Sequence, residues 1–309
     1  MRTFNEPIKG YGLIILAATL WASQGVFYTQ IRQIYGLPSF NAAFFRAIIT
    51  ALIIFAWLAL RKQPPPRLSW RGVRFFALCG LFGVAMLYAC FANAVDLVGI
   101  GIATVLMYTA PVWVTIISVL FMKEQWYSYK AVALLLVIGG VILVAQILQP
   151  GTTLNPTGLL WGLGAGLGYA LYTLFNKVGL RDYEPLPLLG YSLIFGTLFM
   201  LPLQSPTVII DTLTNPLLLL WLLMLSVVTT LGAAYCFVSG LQYLPASNAS
   251  ITSTLEPVIA LFLGWFFFAE VVDKLQLLGA GMVLVAILLL NLKGQADEHQ
   301  PQTGKVQQP

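Results

Sequence analysis

MYTAPVWVTIISVLFMKE at residues 107–124 and STLEPVIALFLGWFFFAE at residues 253–270 decide the fold, because one frame is written twice. Pro111-Val112 returns as Pro257-Val258, Phe121 as Phe267 and Glu124 as Glu270, each 146 positions later (257 − 111 = 146, 270 − 124 = 146). Outward from this pair, the same shift carries Cys90-Phe91 onto Cys236-Phe237 and Ala103 onto Ala249. No gap is needed over residues 88–137. A fixed-period repeat in an apolar chain points to a duplicated membrane unit. In secondary transporters the substrate site lies between such units.

The composition requires lipid as the solvent. Of 309 residues, 59% are hydrophobic and 9% charged, and mean hydropathy is +0.86. Soluble domains carry about 25% charged residues, so this chain cannot clothe a water-facing surface. The net charge of +5 does not imply a nucleic-acid partner, because the basic residues cluster between apolar runs, as membrane topology demands. Cys79, Cys90 and Cys236 all fall inside apolar runs and read as small packing residues. They offer no disulfide framework or zinc spacing. The single histidine, His299, sits in the polar tail.

Ten apolar runs stand near 10–31, 39–60, 73–95, 99–122, 129–148, 157–177, 187–204, 216–241, 247–269 and 274–292. Each is about the length needed to cross a hydrocarbon core of about 30 Å. The fold class expected is therefore an all-α integral membrane protein of ten transmembrane helices. Residues 1–9 form a cytoplasmic N-terminus, 10–148 the first repeat and 149–156 a linker. Residues 157–292 form the second repeat, and 293–309 a polar cytoplasmic tail expected to be disordered. With both termini inside, thirteen Lys and Arg fall on the cytoplasmic side and only Arg32 and Lys274 outside, with Arg46 within a span. Five spans per copy is an odd number, so the second copy enters the bilayer upside down. A 5+5 inverted repeat of this kind supports alternating access.

Polar groups inside a bilayer are costly and mark a pathway or an internal bond. Glu256, midway along the ninth span and followed by Pro257, reads either as a cavity carboxylate that binds a proton or a substrate amine, or as a hydrogen-bonded residue pinning helices. The first copy has Ala110 there, so this carboxylate lies outside the duplicated frame. It is the candidate for ion coupling. Arg46, whose counterpart is Ser192, reads as a contact for a substrate carboxylate or as a helix-pinning guanidinium. Trp21, Gln24 and Tyr28 share one face of the first span, and Tyr169, Tyr172 and Asn176 one face of the sixth. These stripes suit either a pocket for small organic molecules or ordinary packing. Asn93, Tyr108, Tyr235 and Ser253 join the substrate-cavity candidates. Gly162/Gly166 and Gly164/Gly168 on the sixth span read as close helix packing. Pro111, Glu124, Pro257 and Glu270 read as structural frame, each glutamate favouring the positive end of the helix that follows it.

Leu255-Glu256-Pro257-Val258, Leu263-Gly264-Trp265 and Ala269-Glu270, echoed by Tyr108-Thr109-Ala110-Pro111-Val112 and Lys123-Glu124, resemble the signature of EamA-type proteins of the drug/metabolite transporter superfamily. Leu20-Trp21-Ala22-Ser23 resembles the family's opening motif, with Ala22 where glycine is usual. Phe45-Arg46 resembles its second-helix arginine. The resemblance covers about residues 10–292. It implies a ten-helix carrier of a bacterial or archaeal inner membrane that exports amino acids, other small metabolites or drugs. Helices one, three, four, six, eight and nine would line the cavity, with five and ten at the periphery.

The function expected is a secondary transporter, an exporter of small amino-acid-like or amphiphilic solutes by alternating access, with proton coupling suggested by Glu256. Its partners are a small-molecule substrate and the lipid bilayer. No cofactor, metal or nucleic acid is implied. A channel or a non-transporting receptor is the alternative. An intramembrane enzyme is disfavoured, because no histidine lies in a span and no GxSxG or paired intramembrane carboxylates occur. ATP drive lacks its GxxxxGK[ST] loop.

Overall fold

A bilayer offers no water to unpaired backbone groups, so an apolar chain crossing it must satisfy them within each segment as helix. The computed structural model describes residues 5–62, 65–146, 155–268 and 272–298. Every regular element among them is helical. In chain order these are α1 (Asn5–Ala22), α2 (Gln24–Tyr35), α3 (Ser39–Leu60), α4 (Trp70–Leu78), α5 (Met86–Met107), α6 (Ala110–Phe121), α7 (Ser128–Val144) and α8 (Pro156–Gly179). There follow α9 (Pro185–Met200), α10 (Pro206–Thr214), α11 (Pro216–Leu225), α12 (Ala233–Gly240), α13 (Ala246–Ser253), α14 (Glu256–Phe268) and α15 (Lys274–Glu298). Two π-helical stretches, Cys79–Ala85 and Ser226–Gly232, join α4 to α5 and α11 to α12.

Several of these pieces run together. Eight helical segments among the described residues are long and apolar enough to cross a membrane: Glu6–Tyr35, Ser39–Leu60, Trp70–Gly99, Gly101–Phe121, Pro156–Gly179, Pro185–Leu203, Pro216–Gly240 and Ala246–Phe266. The fifth apolar run forms a shorter helix, Ser128–Val144, and the tenth forms the apolar part of α15, Lys274–Leu290. The expected break between the third and fourth runs narrows to Gly99, which alone leaves helical geometry at φ 79°. Glycine tolerates that left-handed region at little steric cost. The last helix runs on through Glu298, so the start of the expected disordered tail is helix. Its residues Gln295, Ala296, Asp297 and Glu298 include good helix formers that extend a helix already nucleated. Residues 149–154 of the linker, Glu270 and the tail from His299 lie outside the described residues. The short helix α10, between the seventh and eighth runs, has no counterpart in the apolar pattern.

Packing is organised across the two copies. α1 packs on α12, α13 and α14, and α8 packs on α5, α6 and the first π stretch. α3 lies on α9, α6 on α13, and α7 on α15. The first span of each copy therefore packs on later spans of the other copy, and the fifth runs pair with each other. Glycines permit the closest approaches. A Cβ on Gly162 would stand 2.4 Å from Leu106 Cδ1, and one on Gly168 2.8 Å from the Leu87 backbone nitrogen. The α8 glycines thus let α5 lie flush against it, as the small-residue spacing expects. At the periphery, Gly140 and Gly279 face each other: a Cβ on either would come within 2.7 Å of the other's carbonyl oxygen.

Candidate functional site

Three spans are interrupted, and the interruptions face one another. The first breaks at Ser23, between α1 and α2. The fourth breaks at Tyr108-Thr109, between α5 and α6, and the ninth at Thr254-Leu255, between α13 and α14. The last two breaks stand at the same place in the repeat: Met107 and Ser253 end the upstream pieces, Ala110 and Glu256 open the downstream ones. Pro111 and Pro257 therefore sit in the first turn of a restarted helix, where a missing N–H costs nothing. They do not kink a continuous one. At each break a hydroxyl folds back onto the carbonyl three residues earlier: Ser23 to Leu20, Thr109 to Leu106 and Thr254 to Ile251. The breaks survive in an apolar setting because local hydroxyls re-satisfy backbone groups there.

Gln24 and Glu256 are each the first residue of a restarted helix, and they meet. The Gln24 amide Nε2 donates to Glu256 Oε1 at 3.0 Å. Its Oε1 accepts from Arg46 Nη1, also at 3.0 Å. A carboxylate, an amide and a guanidinium thus form one chain linking the ninth, first and second spans. Glu256 stands about 15 Å along the ninth span from Ala246, at 1.5 Å per residue, which is about half the hydrocarbon thickness. Its place at the start of α14 also sets it at the positive end of that helix. Tyr108, from the break in the fourth span, is an electrostatic neighbour of the same carboxylate. The Tyr169 hydroxyl donates to Ser253 Oγ at 3.2 Å, and Ser253 donates onward to the Ser250 carbonyl.

Arg46 is only 7% exposed. Its guanidinium carbon lies 4.6 Å from the ring centroid of Tyr88 and 5.7 Å from that of Tyr28, a cation–π cradle that offsets part of its desolvation. Its Nε has no hydrogen-bond partner. No ion pair joins Arg46 to Glu256 among the described residues, and Gln24 bridges them.

The structure brings together Gln24, Tyr28, Arg46, Tyr108, Tyr169, Ser253 and Glu256. The aromatic stripes do something different. Trp21, Tyr169 and Tyr172 pack their rings around Phe237, with centroids 5.2, 6.3 and 6.3 Å away. Phe237 is fully buried. Trp21 and Tyr172 are thus in ring contact with Phe237. Asn176 is buried and donates to the Tyr172 carbonyl of its own helix. Asn93 is exposed and donates to the Ala89 carbonyl one turn back. Tyr235 is 43% exposed, with Lys9 as its electrostatic neighbour. Neither Asn93 nor Tyr235 has a hydrogen bond to the Glu256 chain among the described residues.

Glu124 departs from expectation in its partner. It makes no capping hydrogen bond to the helix that follows it, α7, although Lys130 of that helix lies 3.6 Å away. Its carboxylate accepts from the Ala246 backbone N–H at 2.8 Å and from Ser247 Oγ at 2.6 Å, capping α13 in the other half. Lys123 takes a left-handed φ of 57°. That turn brings the Glu124 N–H back onto the Ser118 carbonyl and re-aims the chain across the bundle. Tyr88 and Phe237 are the residues that sequence reasoning missed. The signal for both was present, since Tyr88 opens the gapless repeat and Phe237 is one of its matched positions.

The EamA-like transporter family matches this chain twice, over residues 8–146 and 156–292. The chain belongs to that family. It is a multi-pass membrane protein of a transporter family. An uncharacterized transporter of Archaeoglobus fulgidus is 27% identical over 280 residues, covering 91% of this chain and 95% of its own. The uncharacterized inner membrane transporter YicL of Salmonella typhimurium is 23% identical, covering 92% of this chain and 95% of its own. A protein of known crystal structure shares the fold, with a TM-score of 0.76 at 14% identity over 94% of this chain and 98% of that one.

Proposed function

We propose that this transporter is a secondary carrier that exports a small amino-acid-like or amphiphilic solute across an inner membrane by alternating access. The Arg46–Gln24–Glu256 chain is its point of binding and coupling. The single observation that carries the reading is the convergence of three interrupted helices, from both copies, on one carboxylate. Interrupted helices near the bilayer midplane are where secondary transporters hold substrate and coupling ions. The first and sixth spans each pack on later spans of the other copy. That exchange supports ten crossings arranged as two inverted five-helix units. The charge count supports termini on the cytoplasmic side.

Glu256 serves as the coupling group in this reading. A proton arriving on the carboxylate weakens its hold on Gln24 and releases Arg46 to meet a substrate anion. Purified protein in proteoliposomes, loaded with a solute found by thermal-shift screening of amino acids, nucleosides and cationic drugs, tests it. An imposed pH gradient should drive uptake, and Glu256→Gln should abolish that dependence. A Glu256→Gln protein whose transport still follows the gradient removes the coupling role.

A further inference from the structure

The polar contacts that tie the two copies together near Glu124 are one-sided, although the frame around them is duplicated. Beyond the Glu124 cap on Ala246 and Ser247, Lys130 Nζ lies 3.0 Å from Ser247 Oγ and 3.6 Å from Glu124 Oε2. Lys130 is 3% exposed. A buried ammonium is tolerated only when its hydrogens are matched, and here it is matched by groups from both halves and by the Gln125 carbonyl at 3.2 Å. One residue further along α13, Asn248 Nδ2 donates to the Tyr11 hydroxyl at 3.1 Å. The start of α13 is therefore held to the ends of the fourth, fifth and first spans at once.

The 146-residue shift shows what the other copy lacks. Glu124 has its counterpart in Glu270, but Lys130 corresponds to Gln276, Ser247 to Gly101 and Asn248 to Ile102. Gln276 donates to the Val144 carbonyl of α7 at 3.2 Å. The repeat-related end keeps the carboxylate, but Gln276 stands in place of the ammonium, and Gly101 and Ile102 in place of the hydroxyl and the amide.

We infer that Glu124, Lys130 and Ser247 form a latch that closes one end of the pathway, and that its absence at the repeat-related end biases the resting carrier to open there. The inference rests on the alternating-access reading for its consequence and on the charge count for its side, which places the latch at the cytoplasmic face. Lys130 and Ser247 act as positioning residues, remote from the Glu256 chain. The bias makes breaking the latch a step of every transport cycle.

The test uses the full chain in membrane vesicles of both orientations, with Cys79, Cys90 and Cys236 changed to alanine. One reporter, Ser250→Cys, lies one turn into α13 beyond the latch. The other, Thr104→Cys, is its counterpart in the other copy. Labelling by a membrane-impermeant maleimide is compared with and without Lys130→Gln plus Ser247→Gly, which give the latch the residues of the other copy. Loss of the latch should raise labelling of the Ser250 reporter about tenfold, the scale of one charge-assisted hydrogen bond, and lower labelling of the Thr104 reporter. Lys130→Arg should leave both near the starting values. Unchanged rates at both reporters overturn the latch. A rise at both also overturns it, since that marks general loosening. The orientation reading is judged separately, by whether the Ser250 reporter responds in inside-out or right-side-out vesicles.

Discussion

Gln24→Leu removes the centre of the guanidinium–amide–carboxylate chain at nearly constant side-chain size. Two hydrogen bonds to charged groups are lost, Arg46 Nη1 to Gln24 Oε1 and Gln24 Nε2 to Glu256 Oε1, both 3.0 Å in the wild-type protein. Each contributes about 1.5–3 kcal/mol, giving a ceiling of about 6 kcal/mol. Gln24 and Glu256 are partly exposed, so water recovers part of the loss, and the expected cost is near the lower end, about 3 kcal/mol. Arg46 fares worst, because its Nε already lacks a partner. At about 2 °C per kcal/mol for a chain of this size, the midpoint should fall by roughly 6 °C. The eight tryptophans give a direct readout by scanning fluorimetry in detergent. A double-mutant cycle with Glu256→Leu should show non-additivity of about 1.5 kcal/mol, since the two changes remove a shared bond. A midpoint shift below about 1 °C, with effects additive within about 0.5 kcal/mol, would refute the chain as a joint element.

Three further outcomes follow from packing and access. Gly168→Val should destabilise by at least about 1–3 kcal/mol, because its Cβ would meet the Leu87 backbone at 2.8–2.9 Å. Thermal unfolding measures it, and a wild-type midpoint would contradict the flush α5–α8 contact. Gly12→Ala should instead gain roughly 0.5–1 kcal/mol by the same assay, since no atom lies within 4 Å of the added methyl. Maleimide should label Cys236 in the native protein well before Cys79 or Cys90, which are buried, with all three labelled after denaturation. Mass spectrometry of the tryptic peptides resolves the order.

What was legible in the sequence divides along a physical line. Helices follow from hydropathy alone because lipid leaves the backbone no other choice. Breaks in the fourth and ninth spans were marked by Pro111 and Pro257, whereas the break at Ser23 carries no proline. Gln24, Arg46 and Glu256 were each conspicuous as polar groups in apolar runs. Their joining was invisible, because the partners stand 22 and 232 positions apart and only packing brings them together. The same holds for Glu124, whose partners lie 122 and 123 positions away. Helical spacing puts Trp21 and Tyr172 on stripes, but spacing cannot tell a lumen from a neighbouring ring, and both side chains touch Phe237. α10 escaped notice because it is too short to show an apolar run of membrane length.

The crossed packing of α1 and α8 has a consequence for the order of synthesis. A chain made at about 5–20 residues per second has its first span in the bilayer roughly 10–40 s before α12 and α14, the surfaces that α1 packs against, leave the ribosome. Through that interval Gln24 and Arg46 must find temporary partners, in each other, in headgroups or in the insertion machinery. The nascent first half is thus an open clasp, completed only by the arrival of Glu256.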